Sequence, residues 1–168
     1  ENLSPKVTVI MIGTNNTGHG EGHPPAETVQ GIEAIIDEIQ ERLPETKIVL
    51  HAIFPRGAVA DDPLREVNDE INEMLPGVAN RKGVGFLDIN YLFVENDGAL
   101  PKNVMPDLLH PNKRGYELWA AGLNPVLERH FGTEEDETPK EVIALWPKGV
   151  PAPHDKSLVE KSEVGPRN

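Results

Sequence analysis

Cysteine is absent from the 168 residues, which removes disulfides, thiolate nucleophiles and thiolate metal ligands at once. It also leaves the redox compartment unreadable. Basic residues are scarce: 16 lysines and arginines stand against 28 carboxylates, for a formal charge of −12 and a pI near 4.9. Such a chain repels phosphate backbones and anionic surfaces, which argues against nucleic acid or membrane as a partner and favours neutral or cationic ligands. No apolar run approaches the length of a membrane span, and the opening residues ENLSPK lack the apolar stretch of a signal peptide. Any targeting peptide would lie upstream of Glu1. Neither an internal repeat nor a low-complexity tract is present.

What is present is a threefold alternation of strand and helix, in a length that suits one domain. Val7, Thr8, Val9, Ile10, Met11 and Ile12 run without polar alternation, the signature of a strand buried on both faces of a parallel sheet. Two prolines then precede a helix over 26–43, whose Val29, Ile32, Ile35, Ile36, Ile39 and Leu43 form one apolar stripe. A second strand over 47–54 ends at Pro55 and Gly57 and leads to a helix over 63–75, with Leu64, Val67, Ile71, Met74 and Leu75 inward. A third strand, 84–89, is followed by a long loop, 90–111, and a helix over 112–130 with Tyr116, Trp119, Leu123, Val126 and Leu127 inward. This is an α/β order, and open α/β sheets bind ligands outside the carboxyl ends of their strands. After Phe131 the character changes. Residues 133–168 are acidic and proline-rich and read as a linker with one apolar patch at Ile143, Leu145 and Trp146.

Two polar clusters fall on the carboxyl edge. Gly13, Thr14, Asn15 and Asn16 follow the first strand. An uncharged amide there suits an oxyanion that develops in acyl transfer, and equally suits a turn in which asparagine bonds its own backbone. Asp107 and His110 stand three apart before the last helix. A carboxylate at that spacing reaches the imidazole, fixes its tautomer and frees the other nitrogen as a base; the same two residues also fit a turn cap and a helix N-terminus. His19 and His23 in HGEGH would need His110 or Asp107 to make a metal site, and a glycine-rich loop has no helix to align the rings. No metal or other cofactor is expected. Gly18, Gly20 and Gly22 alternate without the Lys-Ser/Thr pair of a phosphate loop. Arg56 and Arg65, near the same edge, either touch substrate or pair with one of the many carboxylates.

The segments IGTNN, GIEAIIDEIQERLPETKIVLHAIFPRG, PLREVNDEIN, FLDIN, DGAL and DLLHPNKRGYELWA, in that order, resemble the SGNH or GDSL hydrolases over residues 7–130. The branch they are most similar to is that of the catalytic subunits of intracellular platelet-activating-factor acetylhydrolase, with related bacterial carbohydrate acetylesterases. The resemblance implies a flavodoxin-like three-layer α/β/α fold with a parallel sheet in strand order 2-1-3-4-5, of which this chain holds the third to fifth strands as three βα units. It implies a serine ester hydrolase that removes small acyl groups, acetyl above all, from a carbohydrate or lipid ester without a cofactor. His110 takes the position of the base, Asp107 that of its orienting acid and Asn15 that of the oxyanion donor. Asn16 stands where many members have aspartate, a difference this branch shares.

The family's nucleophile is a serine in a Gly-Asp-Ser block, and a second block supplies a glycine N–H; neither block is in this chain. The serines are Ser4, Ser157 and Ser162, and Ser4 lies at the opposite end of the first strand from Asn15, roughly 20 Å away if extended. Residues 1–132 are therefore expected to be the C-terminal portion of an SGNH hydrolase domain, inactive alone. The strand from Val7 to Ile12 would then leave an edge open to a missing N-terminal segment, on the same protein or another chain. Residues 133–168 are expected to be a linker or the lead-in to a following module, since IALWPKGVPAP resembles the approach to the α/β-hydrolase module of certain carbohydrate esterases. A carbohydrate-esterase parent would imply a secreted or periplasmic location. The rival expectation is a non-catalytic binding or scaffold domain that keeps the fold without its nucleophile.

Overall fold

A computed structural model of the chain describes residues 4–17 and 22–131, the last two by backbone alone; residues 133–168 with their apolar patch, and His19, lie outside the described residues. Along the chain run β1 (Val7–Ile10), α1 (Pro25–Arg42), β2 (Lys47–His51), α2 (Pro63–Lys82), β3 (Gly85–Leu87) and α3 (Lys113–Phe131), with short 3-10 turns at Thr14–Asn16 and Asn90–Leu92. The strands form one sheet in the order β1-β2-β3, and both pairings are parallel. Val9 lies opposite Val49 and Leu50 opposite Phe86, so every strand ends on the same edge. No helix among the described residues is long and apolar enough to cross a membrane.

The alternation of β2 sorts the core into two layers. Ile48 and Leu50 join Ile32 and Ile36 of α1 and Ile71, Leu75 and Val78 of α2 in one cluster. On the other face Phe54, Phe93, Val104 and Met105 form a second cluster with Leu118 and Trp119 of α3. The result is the expected α/β/α sandwich. Truncating a fully buried member such as Ile36 or Ile71 to alanine removes about 2–5 kcal/mol of stability in sites of this kind.

The details depart from expectation where coverage is incomplete. β1 ends at Ile10, and Val7, Thr8 and Val9 are only half-buried, because β1 is an edge of the sheet among the described residues. Ile12, expected inside, is 49% exposed. In α1 the buried line is Thr28, Val29, Ile32 and Ile36, and Ile35 lies off it, exposed. In α3 Tyr116 is exposed and Gly115 takes the inward place, since a Cβ at 115 would stand 2.8 Å from the Val104 carbonyl and 2.7 Å from Pro111. The second helix does not stop at Leu75. Pro76 faces solvent, Val78 and Ala79 extend the buried stripe, and the helix runs on to Lys82, where Gly83 closes it with bonds to the Ala79 and Asn80 carbonyls.

One polar side chain sits deep in the second layer. His51, 1% exposed, has Nδ1 2.6 Å from the Ala52 carbonyl, so Nδ1 carries the proton and Nε2 is left without a partner among the described residues. Phe54 and Trp119 meet the ring edge-on at 5.1 and 5.8 Å between centroids. Burial pushes its pKa below the ordinary 6.5. The unfolded chain therefore takes up this proton at higher pH than the folded one, and stability declines as pH falls below about 6.5. Urea midpoints should drop between pH 7.5 and pH 5.5, and His51→Leu should flatten that drop; an unchanged pH slope in the variant would show the histidine is not its source.

Candidate active site

The first polar cluster is shaped by a glycine that no other residue can replace without displacement. Gly13 has φ of +131°, and a Cβ there would stand 2.7 Å from Ile53 Cδ1 and 3.1 Å from Thr28 Cγ2. From it the chain enters the 3-10 turn. Asn16 N–H donates to the Gly13 carbonyl at 2.9 Å, and Thr17 Oγ1 donates to the Thr14 carbonyl at 2.7 Å. The turn is thus closed by backbone and Thr17 rather than by Asn15. The Asn15 side chain is exposed and makes no hydrogen bond among the described residues. Its amide remains available to a ligand.

Thr14 is anchored from α2 and from the turn after β2. Asn68, fully buried, donates Nδ2 to the Phe54 carbonyl at 3.2 Å and to Thr14 Oγ1 at 3.3 Å. Arg56 donates Nη1 to the Thr14 carbonyl at 3.0 Å. Arg65 is 4% exposed and donates to the carbonyls of Arg56, Gly57 and Gly98. Neither arginine makes a salt bridge among the described residues; both hold backbone. Sequence reasoning left them unassigned and missed Asn68. The available signal was that Arg65, Asn68 and Asn72 recur at helical spacing beside the apolar stripe of Leu64 and Ile71.

The second cluster is a self-contained turn. Asp107 Oδ2 accepts from His110 Nδ1 at 2.7 Å, while Oδ1 accepts from the backbone N–H groups of His110 at 2.8 Å and Leu109 at 3.1 Å. One carboxylate therefore both caps the turn and orients the ring. The geometry needs Leu108 in the left-handed region, φ +62°, a conformation worth about 1 kcal/mol of strain. Leu108 is held there by its N–H to the Met105 carbonyl and by Gly57 N–H to its own carbonyl at 3.0 Å. Behind His110, Asn112 caps α3 by accepting from Gly115 N–H at 3.1 Å, and its backbone N–H bonds the Val104 carbonyl at 2.9 Å. The imidazole is exposed, with Nε2 free among the described residues.

Asn15 and His110 line one cavity of about 300 Å³ at the carboxyl edge of the sheet. Its walls are Met11, Ile12, Phe54 and Trp119, with Thr14 and Tyr116 adding polar atoms. Tyr116 stacks on Trp119 at 5.8 Å and 25°. Trp119 packs inward on the second cluster as expected, whereas Tyr116, also expected inward, is exposed and forms the rim. The arrangement offers a general base with a fixed tautomer, an uncharged hydrogen-bond donor and an apolar wall. No serine is among the described residues that line the cavity. Ser4 is exposed at the amino end of β1, beside Arg42, Leu43 and Glu45. His23 pairs with Glu27 at 3.2 Å, and among the described residues no three histidine or acidic side chains group as a metal site.

The hydrogen bond from the His110 ring, then those from the His110 and Leu109 backbone, hold the Asp107 carboxyl at a pKa of about 2. A carboxyl held this low keeps its charge as pH falls through the ordinary range and releases the ring only near pH 2. Carbon-13 titration of the Asp107 carboxyl should give a midpoint of about 2 that moves toward the usual 3.8 in His110→Ala. Equal midpoints in both proteins would mean that the ring does not hold the carboxylate in solution.

The profile of the GDSL-like Lipase/Acylhydrolase family matches residues 1–118. Human platelet-activating factor acetylhydrolase IB subunit alpha1 is 33% identical over 138 residues, 82% of this chain and 58% of the relative. The chain thus spans little more than half the length of that relative. A GDSL-like lipase from Bacteroides thetaiotaomicron superposes with a TM-score of 0.61 at 20% identity, over 74% of this chain and 63% of that one. A variant of an acetyl-xylooligosaccharide esterase from Geobacillus Stearmophilus does so with a TM-score of 0.60 at 20% identity, over 77% and 61%. Those two likenesses carry the fold. The profile match, which runs from β1 into α3, and the human relative make this chain a member of the GDSL-like lipase and acylhydrolase family.

Proposed function

We propose that this chain is the C-terminal part of a serine ester hydrolase of the SGNH type, which removes small acyl groups, acetyl above all, from a carbohydrate or lipid ester. The observation that carries the reading is that Asn15 and His110, drawn from opposite ends of the folded region, line the same cavity, with Asp107 holding the His110 ring from behind. In the complete site a serine hydroxyl attacks the ester carbonyl. His110 Nε2 takes the hydroxyl proton and returns it to the departing alcohol, a service worth about 10²–10⁴-fold. Asp107 keeps Nδ1 protonated and the ring aimed. The Asn15 amide donates to the tetrahedral oxyanion, worth about 10²–10³-fold for a single donor. A small acyl group suits the cavity's apolar wall, and both the human relative and the Geobacillus esterase are named for acetyl esters.

The serine is proposed to come from a segment that pairs with β1. Among the described residues that edge has no neighbouring strand, and Ile12 beside it is exposed. An apolar edge with unpaired backbone groups seeks a strand partner. Residues 1–132 would then be one portion of the hydrolase domain, with 133–168 leading away from it. A second reading, a non-catalytic domain that keeps the fold, draws on the serine content: Ser4 is the one serine among the described residues, and it lies at the wrong end of β1.

The coding region upstream of Glu1 separates the two. A Gly-Asp-Ser stretch there, and turnover of a chromogenic acetate ester by the protein extended to include it, are the expected results. In that extended protein His110→Ala should lower kcat at least 10³-fold and Asn15→Ala about 10²–10³-fold. The chain as it stands should hydrolyse no ester above background. Its own His110-dependent turnover, or an upstream region without such a serine, would sink the proposal.

A further inference from the structure

The turn after β2 touches both halves of the proposed centre. Arg56 sends Nη1 forward to the Thr14 carbonyl at 3.0 Å and to Thr14 Oγ1 at 3.3 Å, next to Asn15. Gly57 sends its N–H sideways to the Leu108 carbonyl at 3.0 Å, next to Asp107. The same two residues are fixed from below. Arg65 donates Nε to the Arg56 carbonyl at 2.8 Å and Nη2 to the Gly57 carbonyl at 2.8 Å, and its Nη1 reaches the Gly98 carbonyl. Its place in the first turn of α2 is itself secured, since Asp62 caps that helix by accepting from Leu64 N–H at 3.0 Å.

A buried guanidinium that meets carbonyls instead of a carboxylate is a poor way to gain stability, because desolvation of the charge offsets most of what the bonds return. It is a good way to set geometry. A planar fork with several fixed donors orients two successive peptide groups at once, which an ammonium or an apolar side chain cannot do. The two catalytic turns have no other direct hydrogen bond to a common element among the described residues. Their relative placement therefore passes through residues 56 and 57.

We propose that Arg65 and Arg56 are positioning residues: the buried Arg65 fork fixes the 56–57 turn, and that turn sets where the Asn15 amide stands relative to the His110 imidazole. This rests on the reading of Asn15 and His110 as one centre. Neither arginine touches the reacting atoms.

Two measurements decide it. In this chain, nitrogen-15 spectra report the Asn15 side-chain amide and the His110 imidazole directly. Arg56→Met should shift the Asn15 amide and speed hydrogen exchange at 14–17 while leaving the β2 and β3 amides in place, and Arg56→Lys should restore part of the shift. Arg65→Lys should move both the Asn15 and the His110 signals. If Arg65→Lys does not fold, Arg56→Met carries the test, and an unmoved Asn15 amide in it overturns the proposal. In the serine-bearing protein, Arg56→Met should lower kcat about 10–100-fold with KM within twofold, as expected when reacting groups are misplaced by a fraction of an ångström. A raised KM with unchanged kcat would overturn it equally. Should the wild-type serine-bearing protein prove inactive, the hydrolase reading falls, and the spectra still decide whether the two turns are coupled.

Discussion

A parallel sheet ends all its strands on one edge, and everything of chemical interest in this chain follows from that constraint. β1, β2 and β3 run the same way, so the segments that leave them, at 11–17, at 52–57 and at 88–111, emerge side by side. The helices return the chain to the other edge and keep their loops out of the way. Residues separated by some ninety positions in the sequence are thereby brought to one cavity without any element being bent to reach it.

The sheet only brings the loops near one another; polar groups buried among them decide where each side chain stands. Asn68, Asn72 and Arg65 project from α2 and bond backbone rather than each other: Asn72 spans the Ile53 N–H and carbonyl, Asn68 the Phe54 carbonyl, and Arg65 the carbonyls of Arg56 and Gly57. A single helix face thus satisfies the peptide groups of 53, 54, 56 and 57, just past the point where β2 stops pairing with β3. At Ile53 and Phe54, which are buried, a peptide group left without a partner costs about 1–3 kcal/mol. The arrangement continues the sheet's order into a region where no strand can continue it.

What could be read from the sequence follows the range of the interactions involved. The βα order was legible because a strand covered on both faces loses its polar alternation, as the run from Lys47 through Phe54 does. The Asp107–His110 pair was legible because it is local: three residues of separation suffice for both the ring contact and the cap. Ile35 and Tyr116 were misplaced because an apolar stripe marks what a helix can bury, and the neighbours covering it were narrower than the stripe. The end of α2 was misplaced because an interior proline costs a helix stability without ending it where the stripe beyond is still buried, as Val78 and Ala79 are after Pro76. The polar face of α2 was legible only as a helical spacing of Arg65, Asn68 and Asn72, which does not say what they bond. Its acceptors are main-chain carbonyls, which every residue has.

The two catalytic turns differ in how they are held, and that difference bears on how a divided site could work. The Asp107–His110 turn carries its own constraints: a left-handed Leu108, a carboxylate that bonds three N–H groups, and a capped helix immediately after it. It is preorganised by residues within a few positions of itself. The Asn15 turn follows a strand that is an edge among the described residues, and it depends on Arg56, Asn68 and a glycine wedged against Ile53 and Thr28. A strand added along β1 would extend the sheet on the Asn15 side and leave the histidine side untouched. On the proposed reading, the His110 ring is set before a nucleophile arrives, whereas the Asn15 amide stands next to the edge at which such a strand would dock. Under that proposal the two turns differ in what they depend on: the histidine turn on its own neighbours, the asparagine turn on the state of the sheet edge beside it.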